Sequence, residues 1–232
     1  MDGHSALALS EEELQRSEVL TKNERSQRIE MSLRKENGQV SADRWRVFCA
    51  IELPQPTRLA VIRYVSDLRA AVADERASWS RESSIHLTLK FLGEVPAKTV
   101  PEFSAAISRA VARVEPFSVL LEGKGVFPRR RDPRVLWIGI TDPEEKLKEL
   151  HSRVEAESFA SGFAKEEKRF HPHLTLARLR SQQNVRELVD AHDLLAFEPQ
   201  QISIAELVVF RSELSSSGSR YTAISRHPLR RL

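Results

Sequence analysis

The sequence predicts an α+β fold of two small lobes, and three observations lead to this prediction. Short alternating strands are separated by helical stripes along residues 44–232. No glycine-rich phosphate loop follows the first strand, which argues against a doubly wound parallel sheet. The tetrapeptide His-Leu-Thr-Leu occurs twice, at residues 86–89 and 173–176, and two lobes facing each other would present both copies to one groove.

Bulk composition excludes several classes of protein. The chain has 232 residues, of which 41% are hydrophobic and 30% charged, enough for a packed core with a charged surface. It contains neither an apolar run of membrane-spanning length nor the apolar core of a signal peptide, so we expect a cytoplasmic protein without membrane attachment. Cys49 is the sole cysteine, which excludes an internal disulfide and a multi-cysteine zinc site.

Residues 1–43 differ in composition from the rest of the chain. They carry a net charge of −3 and no aromatic residue, whereas residues 44–232 carry +6, which suits a polyanionic ligand. We predict a loose extension, with a partner-binding arm as the alternative. Ser10 and Glu13 could form a capping box for a short helix, and Met31 is an alternative start.

Hydrophobic periodicity divides residues 44–232 into strands and helices. Strands are predicted where apolar residues alternate, as Val47, Cys49 and Ile51 do, and helices where apolar residues recur every three or four positions. The predicted strands are 46–53, 85–92 (closed by Gly93), 117–122, 134–140, 173–179, 202–211 and 220–225, the last two forming a hairpin around Gly218. Helices are predicted at 57–73, 98–114 and 184–193. A further helix is predicted after residue 141, with Asp142 as its cap and Pro143 in its first turn.

The repeated tetrapeptide carries the chemical signal. A single His-x-Thr match is expected by chance roughly 0.2 times in a chain of this composition, but two identical tetrapeptides on predicted strands are a strong motif. Because side chains alternate along a strand, His86 and Thr88 share one face. His173 and Thr175 do the same in the second copy.

Two histidines with two threonines match the needs of phosphodiester opening. One imidazole can activate water while the other protonates the leaving oxygen, and the threonine hydroxyls can bind the non-bridging oxygens. This chemistry needs no metal or other cofactor. Two alternatives compete: each histidine could be an ordinary strand residue, or His171 and His173 could bind zinc, although no third ligand is evident.

At this point the residues resemble a known family. The doubled His-Leu-Thr-Leu is similar to the signature of the 2H phosphoesterases, and its surroundings resemble their RNA 2′,3′-cyclic phosphodiesterase branch, once called 2′-5′ RNA ligases. The segments that carry the resemblance are 46–54, 85–93, 127–128, 133–139, 170–178, 207–214 and 220–222. Coverage runs from about Arg44 to the C-terminus, and the lead-in Ser83-Ser84-Ile85 departs from the family's usual Pro/Asn type.

The resemblance implies a fold, a reaction and two roles. The fold would be bilobal, with a pseudo-twofold axis and a groove between antiparallel sheets. The reaction would convert RNA 2′,3′-cyclic phosphate ends, or small cyclic nucleotides, to 2′-phosphates. His86 would be the proton donor to the 3′-oxygen and His173 the proton acceptor from water. We expect a monomer.

Other residues are candidates for substrate binding. Phe48 faces away from the aliphatic side of its strand, so it could stack on a base or pack in the groove floor. The family often has an arginine near the phosphate at the position of Arg178, although strand parity places Arg178 opposite His173, and a solvated arginine at the strand end is the alternative. The basic run of Arg129, Arg130, Arg131 and Arg134 could grip RNA phosphates or form a solvated loop.

Three rival functions remain open from sequence. A nucleotidyl-transferring RNA ligase needs a reactive lysine in a Lys-x-Asp/Asn-Gly setting, and neither Lys90 nor Lys124 has one. A non-enzymatic RNA-binding module would not need both His-Thr pairs. A 2H enzyme for another phosphate, such as 2′-5′ oligoadenylate, would use the same residues.

Overall fold

The structure is a computed structural model that describes residues 43–72, 77–179, 185–215 and 218–230. The predicted capping box at Ser10 and almost all of the predicted extension 1–43 lie outside these ranges, so both stay predictions. No helix in the described ranges is both long and apolar enough to cross a bilayer.

Strands and helices alternate along the described residues. The strands are β1 (Arg44–Glu52), β2 (Ala77–Trp79), β3 (His86–Pro96), β4 (Phe117–Arg129), β5 (Asp132–Thr141), β6 (His173–Leu179), β7 (Gln200–Ile204), β8 (Glu206–Ser215) and β9 (Gly218–Pro228). The α-helices are α1 (Gln55–Ala71), α2 (Val100–Val111), α3 (Lys146–Ala160) and α4 (Val185–Leu194).

Two antiparallel sheets form the two lobes. The first sheet has the order β3-β1-β8-β9, and the second has the order β2-β6-β5-β4-β7. Helices α2 and α3 contact the first sheet, whereas α4 contacts the second and α1 contacts α4. The predicted α+β fold with two lobes is therefore confirmed.

The chain path repeats itself in the two halves. Apart from the short strand β2, which joins the second sheet, the run β1-α1-β3 ends on the first His-Leu-Thr-Leu strand, and the run β5-α3-β6 ends on the second. Each half then sends a strand into the other sheet, because β4 belongs to the second sheet and β8 to the first. The helices cross as well, since α3 follows a strand of the second sheet but contacts β3 of the first. One apolar core cluster therefore includes side chains from both sheets.

Several predicted strands differ from the observed ones: β2 is not among the predicted strands, and β4 continues to Arg129 beyond the predicted end at residue 122. The strand predicted at 202–211 is two strands in different sheets, β7 and β8, separated by Ala205 alone. No glycine or proline interrupts this apolar run, so local sequence gives no break signal. Gly93 does not end β3, which continues to Pro96 while Gly93 adopts a φ of +70° opposite Val47.

The third helix begins later than predicted. Its N-cap residue is Glu145, not the predicted Asp142, although the Oδ2 of Asp142 accepts hydrogen bonds from the amides of Leu147 at 2.8 Å and Lys148 at 3.2 Å. Helix α3 itself starts only at Lys146, so Pro143 lies in the turn before the helix. The carboxylate thus reaches across a longer turn than a simple N-cap would.

A buried ion pair fixes the segment between α3 and β6, which we call the strap (residues 163–172). Lys90 on β3 is 4% exposed, and its Nζ lies 2.8 Å from Oε1 of Glu155 and 2.9 Å from the carbonyl oxygen of Ala164. The other carboxylate oxygen of Glu155 accepts a hydrogen bond from the Glu166 amide. A buried charge needs such partners, so these contacts tie the strap to β3.

Candidate active site

The two His-Leu-Thr-Leu strands contain matching β-bulges. The pairing of β1 with β3 skips Leu89, and the pairing of β5 with β6 skips Leu176. A bulge reverses the alternation of side chains beyond it. Phe91 and Arg178, each five positions after its histidine, are therefore exposed on the same face as the His and Thr residues. The prediction that Arg178 lies opposite His173 is wrong for this reason.

The His-Thr faces of the two sheets meet at a groove. A cavity of about 440 Å³ is lined by Thr88 of β3 together with His173 of β6, and Cα atoms of these two strands approach within 8 Å. A second cavity of about 570 Å³ is lined by His86. The structure therefore brings Thr88 and His173 to one cavity, while strand alternation puts His86 on the face of Thr88 and Thr175 on the face of His173.

His86 is held in an aromatic pocket. Its ring stacks on Phe48, with centroids 4.7 Å apart, and meets Tyr221 edge-on at 5.2 Å. Burial lowers the pKa of His86 to about 4, although a hydrogen bond from the ring to the Ser84 carbonyl and the nearby charge of Glu52 oppose that shift. The imidazole is therefore neutral near pH 7 in the ligand-free site.

His173 has a parallel setting. Its Nδ1–H donates to the carbonyl oxygen of His171 at 2.7 Å, which leaves Nε2 as a proton acceptor. The ring meets Phe127 edge-on, with centroids 4.9 Å apart. Burial also lowers the pKa of His173, and the charges of His171 and Arg178 lower it further against the effect of the hydrogen bond. Each histidine thus bonds the carbonyl two residues before it.

The charges beside the two histidines break the pseudo-symmetry. Glu52 pairs in register with His86, whereas Gly139 occupies the equivalent place beside His173. Arg226 holds Glu52 through an ion pair of 2.7 Å. His86 therefore has a carboxylate neighbour and His173 has a guanidinium neighbour.

Phe48 packs in the groove floor and does not stack on a ligand. Its ring is 3% exposed and lies between His86 and Phe210, whose centroid is 5.2 Å away. No ring face is left for a base, so of the two predicted roles the floor-packing one is observed. Phe48 thereby supports the orientation of His86.

The basic run does not converge on the histidines. Arg130 forms ion pairs with Asp190 and Asp193 of α4. Arg134 is exposed and pairs with a carboxylate of its own turn at 3.3 Å. The pairing of β4 with β5 skips Arg134, and Arg134 lines neither of the two cavities that contain His86 or His173. The structure therefore does not bring the predicted binding residue Arg134 to the reactive pair.

Sequence reasoning missed several groove residues, including Trp137. The Trp137 ring lies against Gly125, where a Cβ would come within 2.3 Å of a ring carbon, so a side chain at that position would displace the ring. Glu52 shares strand parity with Phe48, but only the pairing of β1 with β3 places it beside His86. Tyr221 and Phe127 likewise reach the groove through pairing between distant strands, so the sequence alone could not identify them.

No metal site is evident among the described residues. They contain no group of three His, Cys, Asp or Glu side chains that could hold an ion. The ring centroids of His171 and His173 are 6.4 Å apart.

Comparison with known proteins identifies the family. Residues 56–215 match the model of the 2′-5′ RNA ligase superfamily. The chain belongs to this superfamily. The resemblance inferred from the doubled tetrapeptide is thus confirmed, and the match includes both copies of the motif.

Members of the superfamily match most of this chain. A relative from Methanothermobacter thermautotrophicus, named RNA 2′,3′-cyclic phosphodiesterase, is 30% identical over 178 residues, which is 76% of this chain and 95% of the relative. A relative of the same name from Escherichia coli K12 is 28% identical over 188 residues, covering 79% and 96%. The crystal structure of E. coli LigT complexed with 3′-AMP matches with a TM-score of 0.63 at 27% identity, over 81% of this chain and 99% of LigT.

Proposed function

We propose that this protein hydrolyses RNA 2′,3′-cyclic phosphate ends to 2′-phosphates by acid–base catalysis without a metal. The observation that carries the proposal is the presence of two half-buried His-Thr pairs on facing sheets. The named activity of the superfamily relatives supports the same reaction. A bound cyclic phosphate would lie between the two strands, within reach of both imidazoles.

In the proposed reaction one histidine accepts a proton and the other donates one. Nε2 of His173 takes a proton from water as the water oxygen bonds to phosphorus. The bond between phosphorus and the ribose 3′-oxygen breaks, and His86 protonates that oxygen. The hydroxyls of Thr88 and Thr175 donate to the non-bridging oxygens, where charge accumulates in the transition state.

The broken pseudo-symmetry supports this division of roles. A carboxylate beside an imidazole favours the protonated form, and Glu52 stands beside His86. A guanidinium favours the neutral form, and Arg178 stands beside His173. Burial is the larger effect in the ligand-free site, where it lowers the pKa of His86 to about 4. The anionic substrate favours protonation of both rings, and the carboxylate of Glu52 would then direct the proton to His86.

A substrate panel with product identification tests the function. We expect turnover of nucleoside 2′,3′-cyclic phosphates and of RNA that ends in a cyclic phosphate. The same panel includes hydrolysis of 2′-5′ oligoadenylate and ligation of RNA ends, which are the two alternative activities. Release of a 2′-phosphate end supports the proposal. Activity on 2′-5′ oligoadenylate alone would replace it with another phosphodiesterase function of the same site.

Turnover should survive metal removal, because the proposed chemistry needs no Lewis acid. We expect unchanged initial rates on adenosine 2′,3′-cyclic phosphate after dialysis against EDTA. Loss of activity on chelation, followed by rescue with zinc, would contradict the metal-independent mechanism and revive the zinc hypothesis for His171 and His173.

The pH profile should reflect the low pKa values of both histidines. In the free enzyme one ring must be neutral and the other protonated, and burial holds the pKa of each below 6.5. We therefore expect kcat/KM to peak below pH 6.5 and to fall as pH rises toward 8. The kcat profile should lie at higher pH, because the bound anion raises both pKa values. A kcat/KM optimum above pH 7 would contradict this prediction.

Glu52→Gln tests the asymmetry directly. Removing the carboxylate lowers the pKa of His86, so we expect a several-fold loss of kcat/KM at pH 7 and an acidic shift of the profile. Glu82→Gln is the matched control, because Glu82 lines the same cavity but does not act on His86. If the two variants had the same pH profile of kcat/KM, Glu52 would have no role in setting the pKa of His86.

A further inference from the structure

A cavity outside the His-Thr groove is lined by residues at the end of α2 and of β9, and we call it the α2–β9 cavity. Its volume is about 510 Å³, and it shares no lining residue with the two cavities that contain His86 and His173. Three arginines line it, Arg113, Arg226 and Arg230, and its described lining contains no carboxylate. Guanidinium groups bind oxyanions through paired N–H donors, so this lining suits an anion.

The three guanidinium groups have unused donors. Arg113 and Arg230 are exposed, and neither forms an ion pair with a described carboxylate. Arg226 does form ion pairs, because its Nη1 lies 2.7 Å from Oε2 of Glu52 and 2.5 Å from Oε1 of Glu206. Both carboxylates contact the same nitrogen, whereas a guanidinium has five N–H donors on three nitrogens. After the described contacts, donors of all three arginines therefore remain for a ligand.

The backbone at Arg113 is strained. Its φ is +64°, and it follows Ala112, the C-cap of α2. This left-handed position after a helix is usually occupied by glycine, because a Cβ is disfavoured there. An arginine therefore makes the turn less stable than glycine would, and strain of this kind accumulates at binding sites. The strain favours a role for the Arg113 side chain in the cavity that it lines.

The end of α2 does not repel an anion as a free helix C-terminus would. The last carbonyl groups of a helix carry partial negative charge. Arg153 of α3 donates from Nε to the carbonyl oxygen of Ala110 and from Nη2 to that of Ala112, each at 3.1 Å. These bonds bring a positive charge to the last turn of α2 and offset the helix dipole beside the cavity.

His227 forms an ordered wall of the cavity. It is 6% exposed, and its Nδ1 lies 2.8 Å from Oγ of Ser108 while its Nε2 lies 2.8 Å from Oγ of Ser225. Both ring nitrogens have partners, so the ring is fixed before any ligand binds. A preformed wall costs little conformational entropy on binding. Because His227 lines the cavity, its ring also serves as a local probe of occupancy.

We propose that the α2–β9 cavity is a second anion site, which binds a phosphate group through Arg113, Arg226 and Arg230. A phosphate group has three or more oxygens for the N–H donors that line the cavity. Two sources carry this chemistry, inorganic phosphate and the 5′-phosphate of an RNA strand, and the experiment distinguishes them. The proposal goes beyond the proposed function and does not depend on it.

Histidine NMR measures binding at this cavity directly. The ring signals of His227 are followed in full-length protein with 13C-labelled histidine during titration with inorganic phosphate. We expect saturable shifts in the wild type. In the double variant Arg113→Gln with Arg230→Gln, we expect the dissociation constant to rise at least about tenfold, because two charged hydrogen-bond donors are lost.

The double variant Arg63→Gln with Arg69→Gln is the matched control. It removes the same charge from exposed positions on α1 that do not line the cavity, so it should keep the wild-type dissociation constant. Equal weakening in both double variants would overturn the site. Shifts of His227 that persist unchanged in the Arg113→Gln, Arg230→Gln protein would place the phosphate in the His-Thr groove and would overturn it as well.

A titration with 5′-phosphorylated RNA that lacks a cyclic phosphate identifies the source of the phosphate group. Saturation by inorganic phosphate supports the free ion as the ligand. Saturation by the RNA alone, lost in the Arg113→Gln, Arg230→Gln protein, supports the phosphate of the RNA strand. If His227 responds to neither ligand, the site is refuted. These measurements use no turnover, so failure of the site and failure of the proposed function are distinguishable.

Glu206→Gln should change the affinity in the opposite direction. It releases Arg226 from one of its two carboxylates and removes a negative charge near the cavity, so we expect the dissociation constant for phosphate to fall several-fold. An unchanged or weaker affinity would overturn the assignment of Arg226 as a ligand of the anion.

Discussion

Alanine in place of His86 or His173 lowers the turnover of a 2′,3′-cyclic phosphate by at least about 10²-fold, the usual contribution of a positioned acid or base. His86→Ala removes the proposed donor to the 3′-oxygen, and His173→Ala removes the proposed acceptor from water. The two effects should not add in the double variant, because the acid and the base act on one transition state. The measurement is kcat on adenosine 2′,3′-cyclic phosphate at several pH values.

His171→Ala is an informative comparison for these variants. His171 supports His173 through its backbone carbonyl, which alanine also provides, so we expect less than a tenfold loss. Thermal melting checks each variant, because the His86 ring packs against Phe48 and Tyr221. Near-wild-type turnover in a folded His86→Ala or His173→Ala protein would refute the acid–base assignment.

The His-Thr faces could be predicted from sequence because they depend only on local geometry. His86 and Thr88 are two positions apart on a strand, and that spacing is sufficient to place them on one face. The second copy repeats the argument. The faces of the residues after each tetrapeptide could not be predicted in the same way, because each strand has a β-bulge that reverses the alternation of side chains and no glycine marks it. Strand parity therefore predicts the wrong face for Arg178 and gives no signal for Phe91.

Features that depend on pairing between distant strands were also beyond the sequence. Glu52 lies beside His86 only because β1 pairs with β3 in one register. The division of one apolar run into β7 and β8 arises because its two parts pair with different sheets. Arg134 belongs to a basic run that could grip RNA phosphates, but it lines neither of the cavities that contain the histidines. The local sequence pattern thus shows which residues could take part in the site, whereas the register between paired strands determines which of them lie next to each other.

The bond that breaks is the most direct test of the mechanism, and we expect 2′-phosphate as the sole detectable product. A 2′,3′-cyclic phosphate is nearly symmetric at phosphorus, so either ribose oxygen could leave. The oxygen that departs must lie in line with the activated water and beside the acid. Two imidazoles on opposite sheets can enforce that choice only if the ribose has one orientation.

The groove supplies two asymmetries that can fix the ribose. Glu52 beside His86 and Arg178 beside His173 distinguish the acid from the base, so that only one orientation of the ribose would place its 3′-oxygen beside the acid. Phosphorus NMR of the product of adenosine 2′,3′-cyclic phosphate distinguishes the two isomers. A 3′-phosphate product would reverse the roles of His86 and His173. A mixture of both isomers would keep the acid–base pair and show that the ribose is loosely held.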